Sequence, residues 1–293
     1  MKLAVLGAGA WGTAISISLA PRHAVTLWAR DAAQAREIAS SRINRRYLPE
    51  FEIPRNVTVT ADLRAALDRS ELVLIATTTA GLRAVLKQLA AAGDVLPLIW
   101  LCKGFETESA RLPHQIAAEE LPPRLARGTL SGPSFAHEVA RGLPTALTLA
   151  SGDAAFAQRI ARELHHDRLR IYSSDDQIGI EIAGALKNVI AIASGISDGL
   201  GLGHNARAAL ITRASPKSRA WVCSWTGGWK LSWGSRASAT SCLPAPAICR
   251  ATGGSGGSWQ KASGSNKSCA SLGTLRKAST LHAPSAVSRA NST

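Results

Sequence analysis

Residues 214–293 contain no aspartate and no glutamate, although they carry 10 of the 34 lysines and arginines in this 293-residue chain. Up to Arg213 the balance is ordinary, with 24 basic residues against 20 acidic ones, so most of the net charge of +14 is local to the end of the sequence. The same stretch is short of core-forming side chains, with 8 residues in total from Val, Leu, Ile, Phe and Met against 17 Ser. Such a composition buries little apolar surface and predicts a disordered, basic tail. Cysteine is almost missing elsewhere: Cys102 alone precedes the tail, which excludes a disulfide framework there and fits a reducing compartment. No uninterrupted apolar run approaches the roughly 20 residues of a membrane helix, so no integral membrane segment is expected. Met1 leads straight into a strand pattern, with no basic n-region and no apolar stretch before a small-residue cleavage site; the expected location is cytoplasmic.

What is present is an alternation of short β-rich apolar runs with helical stretches, the sequence form of a parallel sheet covered on both faces. Strands are predicted at 2–6, 24–28, 56–59, 72–77, 95–101, 129–131, 145–150 and 168–172. Helices are predicted at 62–67, 80–91, 112–120 and 154–164, where apolar residues recur every three to four positions. The segment 41–54, with Arg45, Arg46, Tyr47 and Pro49, reads as a long basic loop able to close over a charged ligand. From 178 to 196 a long apolar helix begins, of the kind that opens a helical domain, and its register sets Lys187 among Ile180, Ala183, Gly184 and Ile190. A lysine there either snorkels to water or has a chemical task.

The segment Val5-Leu-Gly-Ala-Gly-Ala-Trp-Gly-Thr13 follows a strand and opens a helix, so Gly7, Gly9 and Gly12 meet the G-x-G-x-x-G spacing in its required context. Gly7 permits a tight turn, Gly9 lets the backbone approach a pyrophosphate, and Gly12 lets the helix pack close to the strand with its N-terminus toward the negative charge. The alternative is a glycine-rich turn without a ligand. The fold class is therefore α/β, a Rossmann-type doubly wound parallel sheet at 1–174, followed by the start of an all-helical domain at 175–213 and the tail at 214–293. At the end of the second strand an acidic residue would grip the 2′-hydroxyl of NAD, yet Arg30 stands there, followed by Asp31. Arginine suits the 2′-phosphate, so NADPH is favoured and NAD stays open.

Further motifs carry a family resemblance over nearly all of the first 213 positions. Besides Gly7 to Thr13 they are Leu-Trp-Ala-Arg ending at Arg30, Asn-Arg-Arg-Tyr-Leu-Pro from Asn44, Cys-Lys-Gly-Phe-Glu from Cys102, Ser-Gly-Pro-Ser-Phe-Ala from Ser131 and Gly-Ala-Leu-Lys-Asn-Val from Gly184. In that order and spacing the chain resembles NAD(P)-dependent glycerol-3-phosphate dehydrogenase of the bacterial biosynthetic type. The resemblance implies reduction of dihydroxyacetone phosphate to glycerol 3-phosphate for glycerophospholipid synthesis, and a possible homodimer. It implies cofactor contacts from Gly7, Gly9, Ala10, Trp11, Gly12, Arg30, Tyr47, Lys103 and Ala136. It further implies substrate contacts from Lys103, Gly132, Ser134, Lys187 and Asn188, with Lys187 as the catalytic lysine. The chemistry agrees, since hydride delivered to a ketone carbon builds charge on the oxygen and an ammonium group there stabilises it and supplies the proton. Apolar surroundings would lower the pKa of Lys187 toward working pH.

Beyond Arg213, where the family continues with a Gly-Leu-Ala-Glu-like helix, the chain reads Ala-Ser-Pro-Lys-Ser-Arg-Ala-Trp. Codons for these residues can be chosen so that the neighbouring frame reads Gly-Leu-Ala-Glu-Ile-Ala-Arg-Leu-Gly-Val, which makes the tail a frameshifted version of the family's own segment. Cys223, Cys242, Cys249 and Cys269 lack paired C-x-x-C spacing, so no metal site is expected. Trp221, Trp225, Trp229 and Trp233 interleave with basic residues, but without a fold to hold them no nucleic-acid partner is expected. Three readings follow: an active dehydrogenase, a cofactor-binding module without turnover, or an inactive product.

Overall fold

The computed structural model describes residues 1–93 and 96–212. The tail, with its expected disorder, cysteines and tryptophans, lies outside the described residues, as does Val95 at the start of the fifth predicted strand. The main sheet is built from β1 (Lys2–Leu6), β2 (Ala24–Trp28), β5 (Val57–Thr60), β6 (Leu72–Ile75), β7 (Leu98–Trp100), β8 (Arg127–Ser131), β9 (Thr145–Ala150) and β10 (Leu169–Ser174). A separate antiparallel ribbon pairs β3 (Ile43–Asn44) with β4 (Leu48–Glu52).

Side-chain alternation explains why the sheet is covered twice. In β1, Leu3 and Val5 enter one core cluster while Ala4 and Leu6 enter another, and all four are buried. β6 splits the same way, Leu72 and Leu74 to the first and Val73 and Ile75 to the second. Successive strand residues face opposite sides, so a strand apolar at both parities needs a layer on each. The first cluster takes in residues of α1 (Ala10–Leu19), α2 (Ala32–Ser41) and α7 (Ala154–Leu164). The second takes in α3 (Leu63–Leu67), α4 (Thr79–Ala92) and α5 (Pro113–Glu120).

Strand order is β10-β9-β8-β7-β6-β1-β2-β5, and all neighbours are parallel except β8 and β9. The chain moves outward from β1 through β2 to β5, then returns to β6 on the other side of β1. This reversal leaves a crevice beyond the carboxyl ends of β1 and β6, where open α/β sheets bind ligands. The antiparallel β8–β9 pair departs from the expected all-parallel sheet. Its cause is α6 (Ala136–Ala140), which packs with α1 and the β3–β4 ribbon around Ala14, Leu48 and Val139 instead of forming a crossover on the sheet.

One other expectation needs correction. The segment 41–54 is not an irregular loop but contains the β3–β4 ribbon, because Leu48 and Ile53 are fully buried and anchor it. The helix α8 (Gln177–Gly199) stands where a long apolar helix was expected from 178 to 196, and by length and composition, with mean hydropathy 1.4, it would also suffice to cross a membrane. Its Ile, Val, Leu and Ala residues keep the average high, while Glu181 and Lys187 interrupt the run. One face of α8 lies on the sheet domain through Ile182 and Ala185; Val189, Ile192 and Ile196 on another are exposed.

Candidate active site

The turn after β1 is held by close packing. Gly7 has φ +121°, and a Cβ there would meet the Ala76 carbonyl oxygen at 2.8 Å, while a Cβ on Gly12 would lie 1.9 Å from the Gly7 oxygen. Gly9 differs, since its backbone is extended and a Cβ would meet nothing within 4 Å. The space beside Gly9 is thus open to a ligand. Gly9 also caps α1 without any side-chain hydrogen bond, so the first-turn positions Ala10, Trp11 and Gly12 present a helix N-terminus suited to an anion. The Ala8 carbonyl is fixed from two sides, by Gln34 Nε2 at 2.9 Å and by Asn44 Nδ2 at 3.0 Å, and Asn44 Nδ2 also reaches Thr13 Oγ1 at 2.8 Å. Asn44 Oδ1 and Thr77 Oγ1 are buried without a partner. An open cradle, an uncapped helix and orphaned polar atoms together fit a dinucleotide diphosphate.

Around this turn the structure gathers other candidates. Trp11 and Ala136 join the small cluster that also holds Leu48 and Phe51, which sets α6 and the ribbon against the start of α1. Tyr47 on the ribbon is exposed, with the Arg46 guanidinium 5.2 Å from its ring centre. Arg30 is exposed at the end of β2, whereas Asp31 Oδ1 accepts from the Ala33 amide and caps α2. That cap commits one carboxylate oxygen of Asp31 to the protein backbone.

The second cluster lies at the carboxyl ends of β7 and β8, on the same edge as the glycine turn. Lys103 is half-buried; its Nζ donates to the Gly132 carbonyl at 2.9 Å and to Ser134 Oγ at 3.4 Å, and its own carbonyl accepts from Thr79 Oγ1 at 3.0 Å. Burial, and then the positive charge of Lys187, push the Lys103 pKa down from 10.5 to about 8. Gly132 has φ +154° and a Cβ there would meet the Ala146 oxygen at 2.8 Å, so a glycine is required where the chain turns beneath Lys103. Lys187 comes to this crevice from α8, with its Nζ 5.6 Å from the Phe135 ring centre. The two helix and strand backbones are close, since a Cβ on Gly184 would lie 3.5 Å from Lys103 Cγ and 3.1 Å from Ser131 Oγ.

The expected apolar surroundings of Lys187 are corrected: its residue is exposed, as are Ala183 and Asn188. The α8 face toward the sheet is carried by Glu181, Ile182, Gly184 and Ala185, and the amine with apolar cover is Lys103. Asn188 adjoins Lys187, and its side chain makes no hydrogen bond among the described residues. The sequence reading passes over Asn44, Thr79, Phe135 and Glu181. A lone acid within the apolar helical pattern, at Glu181, is the one clear signal it could have used.

The loop carrying Lys103 is held by Arg83 on α4. Arg83 donates to Glu106 through Nε at 2.9 Å and Nη2 at 2.7 Å, and through Nη1 to Glu119 at 2.7 Å and Glu120 at 2.5 Å. The Arg83 and Ser109 hydrogen bonds hold the Glu106 carboxyl down at about 2.

Two family descriptions match along the chain, NAD-dependent glycerol-3-phosphate dehydrogenase N-terminus over residues 2–157 and its C-terminus over residues 176–224. The chain belongs to the NAD-dependent glycerol-3-phosphate dehydrogenase family. It is 57% identical over 213 residues to glycerol-3-phosphate dehydrogenase [NAD(P)+] of Thiobacillus denitrificans, and 54% identical over 217 residues to that of Nitrosospira multiformis, in each case 73% of this chain. It spans 65% of the length of these curated relatives. Among solved structures it is similar to glycerol-3-phosphate dehydrogenase from Coxiella burnetii, with TM-score 0.72 and 40% identity over 78% of this chain and 70% of that one. The C-terminal match runs past Arg213, beyond the point where the quoted motifs end.

Proposed function

We propose that this chain binds NAD(P)H at the glycine turn and descends from an enzyme that reduces dihydroxyacetone phosphate to glycerol 3-phosphate. The observation that supports this reading best is the nearness of Lys187 to Lys103, whose pKa its charge lowers, where Lys103 follows β7 on the sheet edge that also carries the open turn at Gly9. Bound NAD(P)H supplies a hydride to the substrate ketone. Lys187 stabilises the charge that develops on the ketone oxygen and gives it a proton. Lys103, largely protonated at pH 7 with a pKa of about 8, holds the phosphorylated substrate together with Gly132, Ser134 and Asn188. Tyr47, Trp11 and Ala136 bound the cofactor side. The product feeds glycerophospholipid synthesis in the cytoplasm, and the exposed apolar face of α8 supports a homodimer.

The proposed division is a cofactor domain at 1–174, the first part of a helical substrate domain at 175–213 and a frameshifted tail at 214–293. Reading the gene's nucleotides across Arg213 tests the last point, and an uninterrupted frame with incompatible codons refutes it. A second reading, a cofactor-binding module without turnover, is supported by the exposure of Lys187 and Asn188 and by the partial span of the relatives. Assaying NADPH oxidation with dihydroxyacetone phosphate beside a cofactor titration separates the two: turnover lost in Lys187→Ala supports the dehydrogenase, binding without turnover supports the module, and neither makes the chain inactive. Arg30 and the committed cap at Asp31 favour NADPH. Arg30→Ala is expected to weaken NADPH binding about tenfold or more while leaving NADH binding nearly unchanged; equal losses for both cofactors would refute the assignment.

A further inference from the structure

Glu181 is the only buried carboxylate among the described residues. Its Oε1 accepts from Trp100 Nε1 at 2.8 Å, and its Oε2 accepts from the His114 amide at 3.3 Å and faces His114 Nδ1 at 2.6 Å. The remaining titratable neighbour is Cys102, whose thiol burial and then the Glu181 charge push up to about 12, so it stays a neutral thiol. A carboxylate taken out of water is costly unless its lone pairs are satisfied, and here three donors from two elements converge on it.

Of these, the bond to Trp100 joins the two elements that lead to the amines. Trp100 ends β7 just ahead of Lys103, and Glu181 lies about one and a half helical turns ahead of Lys187 on α8. Apolar contact alone would hold α8 on the sheet without fixing how far it slides, because burial is non-directional. Hydrogen bonds to a buried indole have a direction and a length. The register matters, because Gly184 passes so close to Lys103 and Ser131 that bringing Ala183 or Ala185 to its place would force a methyl group into the gap.

We propose that Glu181 is a positioning residue: its bonds to Trp100 and His114 fix the register of α8 against β7 and α5, and so the placement of the Lys103 and Lys187 amines relative to each other. This rests on the dehydrogenase reading for its purpose, but not for its test. The half-buried Lys103 amine reports the geometry directly through its rate of acetylation by acetic anhydride, followed by mass spectrometry of the full chain across a range of pH.

With Glu181→Met, α8 loses its anchor and Lys103 returns toward an ordinary lysine, so its acetylation rate at pH 8 falls about tenfold or more. Glu181→Gln keeps an acceptor for Trp100 and a group for His114 and retains a rate near the parental one. A merely electrostatic role predicts the opposite sign, since removing a nearby negative charge lowers a lysine pKa and speeds acetylation. A faster or unchanged rate in folded Glu181→Met therefore overturns the proposal. If that variant does not fold, His114→Ala removes one anchoring partner at a partly exposed position, and the proposal stands only if Lys103 slows there too. Slowed acetylation in a chain with no parental turnover would sink the dehydrogenase reading and leave the positioning role standing.

Discussion

Gly9 and Gly12 stand on the same turn, and a methyl group fails at each for a different reason. At Gly12 the added carbon would overlap the Gly7 oxygen at 1.9 Å, so the protein itself forbids it. At Gly9 no protein atom lies within 4 Å and the backbone is extended, so only a ligand would object. Gly12→Ala is accordingly expected to lower stability by about 1–3 kcal/mol and to lose NADPH binding. Gly9→Ala is expected to unfold at the parental temperature yet bind NADPH at least about tenfold more weakly, because the methyl group takes space that the pyrophosphate needs. Thermal unfolding and NADPH fluorescence titration read both quantities, and parental affinity in folded Gly9→Ala would remove the cradle from this turn. The glycines were legible in the sequence because their spacing and context encode a backbone shape. Asn44 was not, since its role depends on a ribbon that brings its amide to Ala8 and Thr13 from a distant stretch of chain. Lys187 was placed among apolar neighbours by its helical register, but periodicity says which residues share a face and not which face is covered.

Strands with an alternating or doubly apolar pattern were readable, and β1, β2 and β9 fall where the pattern puts them, at Lys2–Leu6, Ala24–Trp28 and Thr145–Ala150. The ribbon at Ile43–Asn44 and Leu48–Glu52 was hidden because its strands are short, carry two glutamates and a proline and enclose Arg45 and Arg46, while Leu48 is the one fully buried apolar residue within them. The antiparallel turn from β8 to β9 was equally hidden, as strand direction follows from where α6 docks. Between elements, the Arg83 network ties α4 and α5 to the loop that carries Lys103, and its pH dependence has a definite sign. The Glu106 carboxyl titrates near 2 in the folded chain against 4.5 ordinarily, so its contribution is full above pH 4.5 and is lost as pH falls toward 2. Arg83→Met is expected to cost about 1–3 kcal/mol at pH 7, because Glu106 is left half-buried without its partner. By pH 3 that deficit shrinks, because Glu106 is still largely ionised in the folded parental chain but protonated in the unfolded one, so part of the linked contribution is already lost. Urea unfolding at the two pH values measures the difference, and an equal deficit at both would mean that the network contributes packing and no linked proton.

At the scale of the whole molecule, the cofactor half is closed by two helical layers, whereas α8 leaves Val189, Ile192 and Ile196 at 61%, 65% and 58% exposed. These positions follow one another at helical spacing, so they form a stripe and not scattered contacts. Contiguous apolar surface of this kind drives association. Concentration-dependent self-association is therefore expected, seen as a sedimentation coefficient that rises with loading. Ile192→Lys combined with Ile196→Glu places charges on the stripe without touching the face toward Trp100, and should return the protein to a monomer with NADPH affinity unchanged. If the parental chain sediments as a monomer at every concentration, the stripe is satisfied within the chain. If the double variant still associates, the contact lies elsewhere, and the homodimer proposed for α8 falls with it.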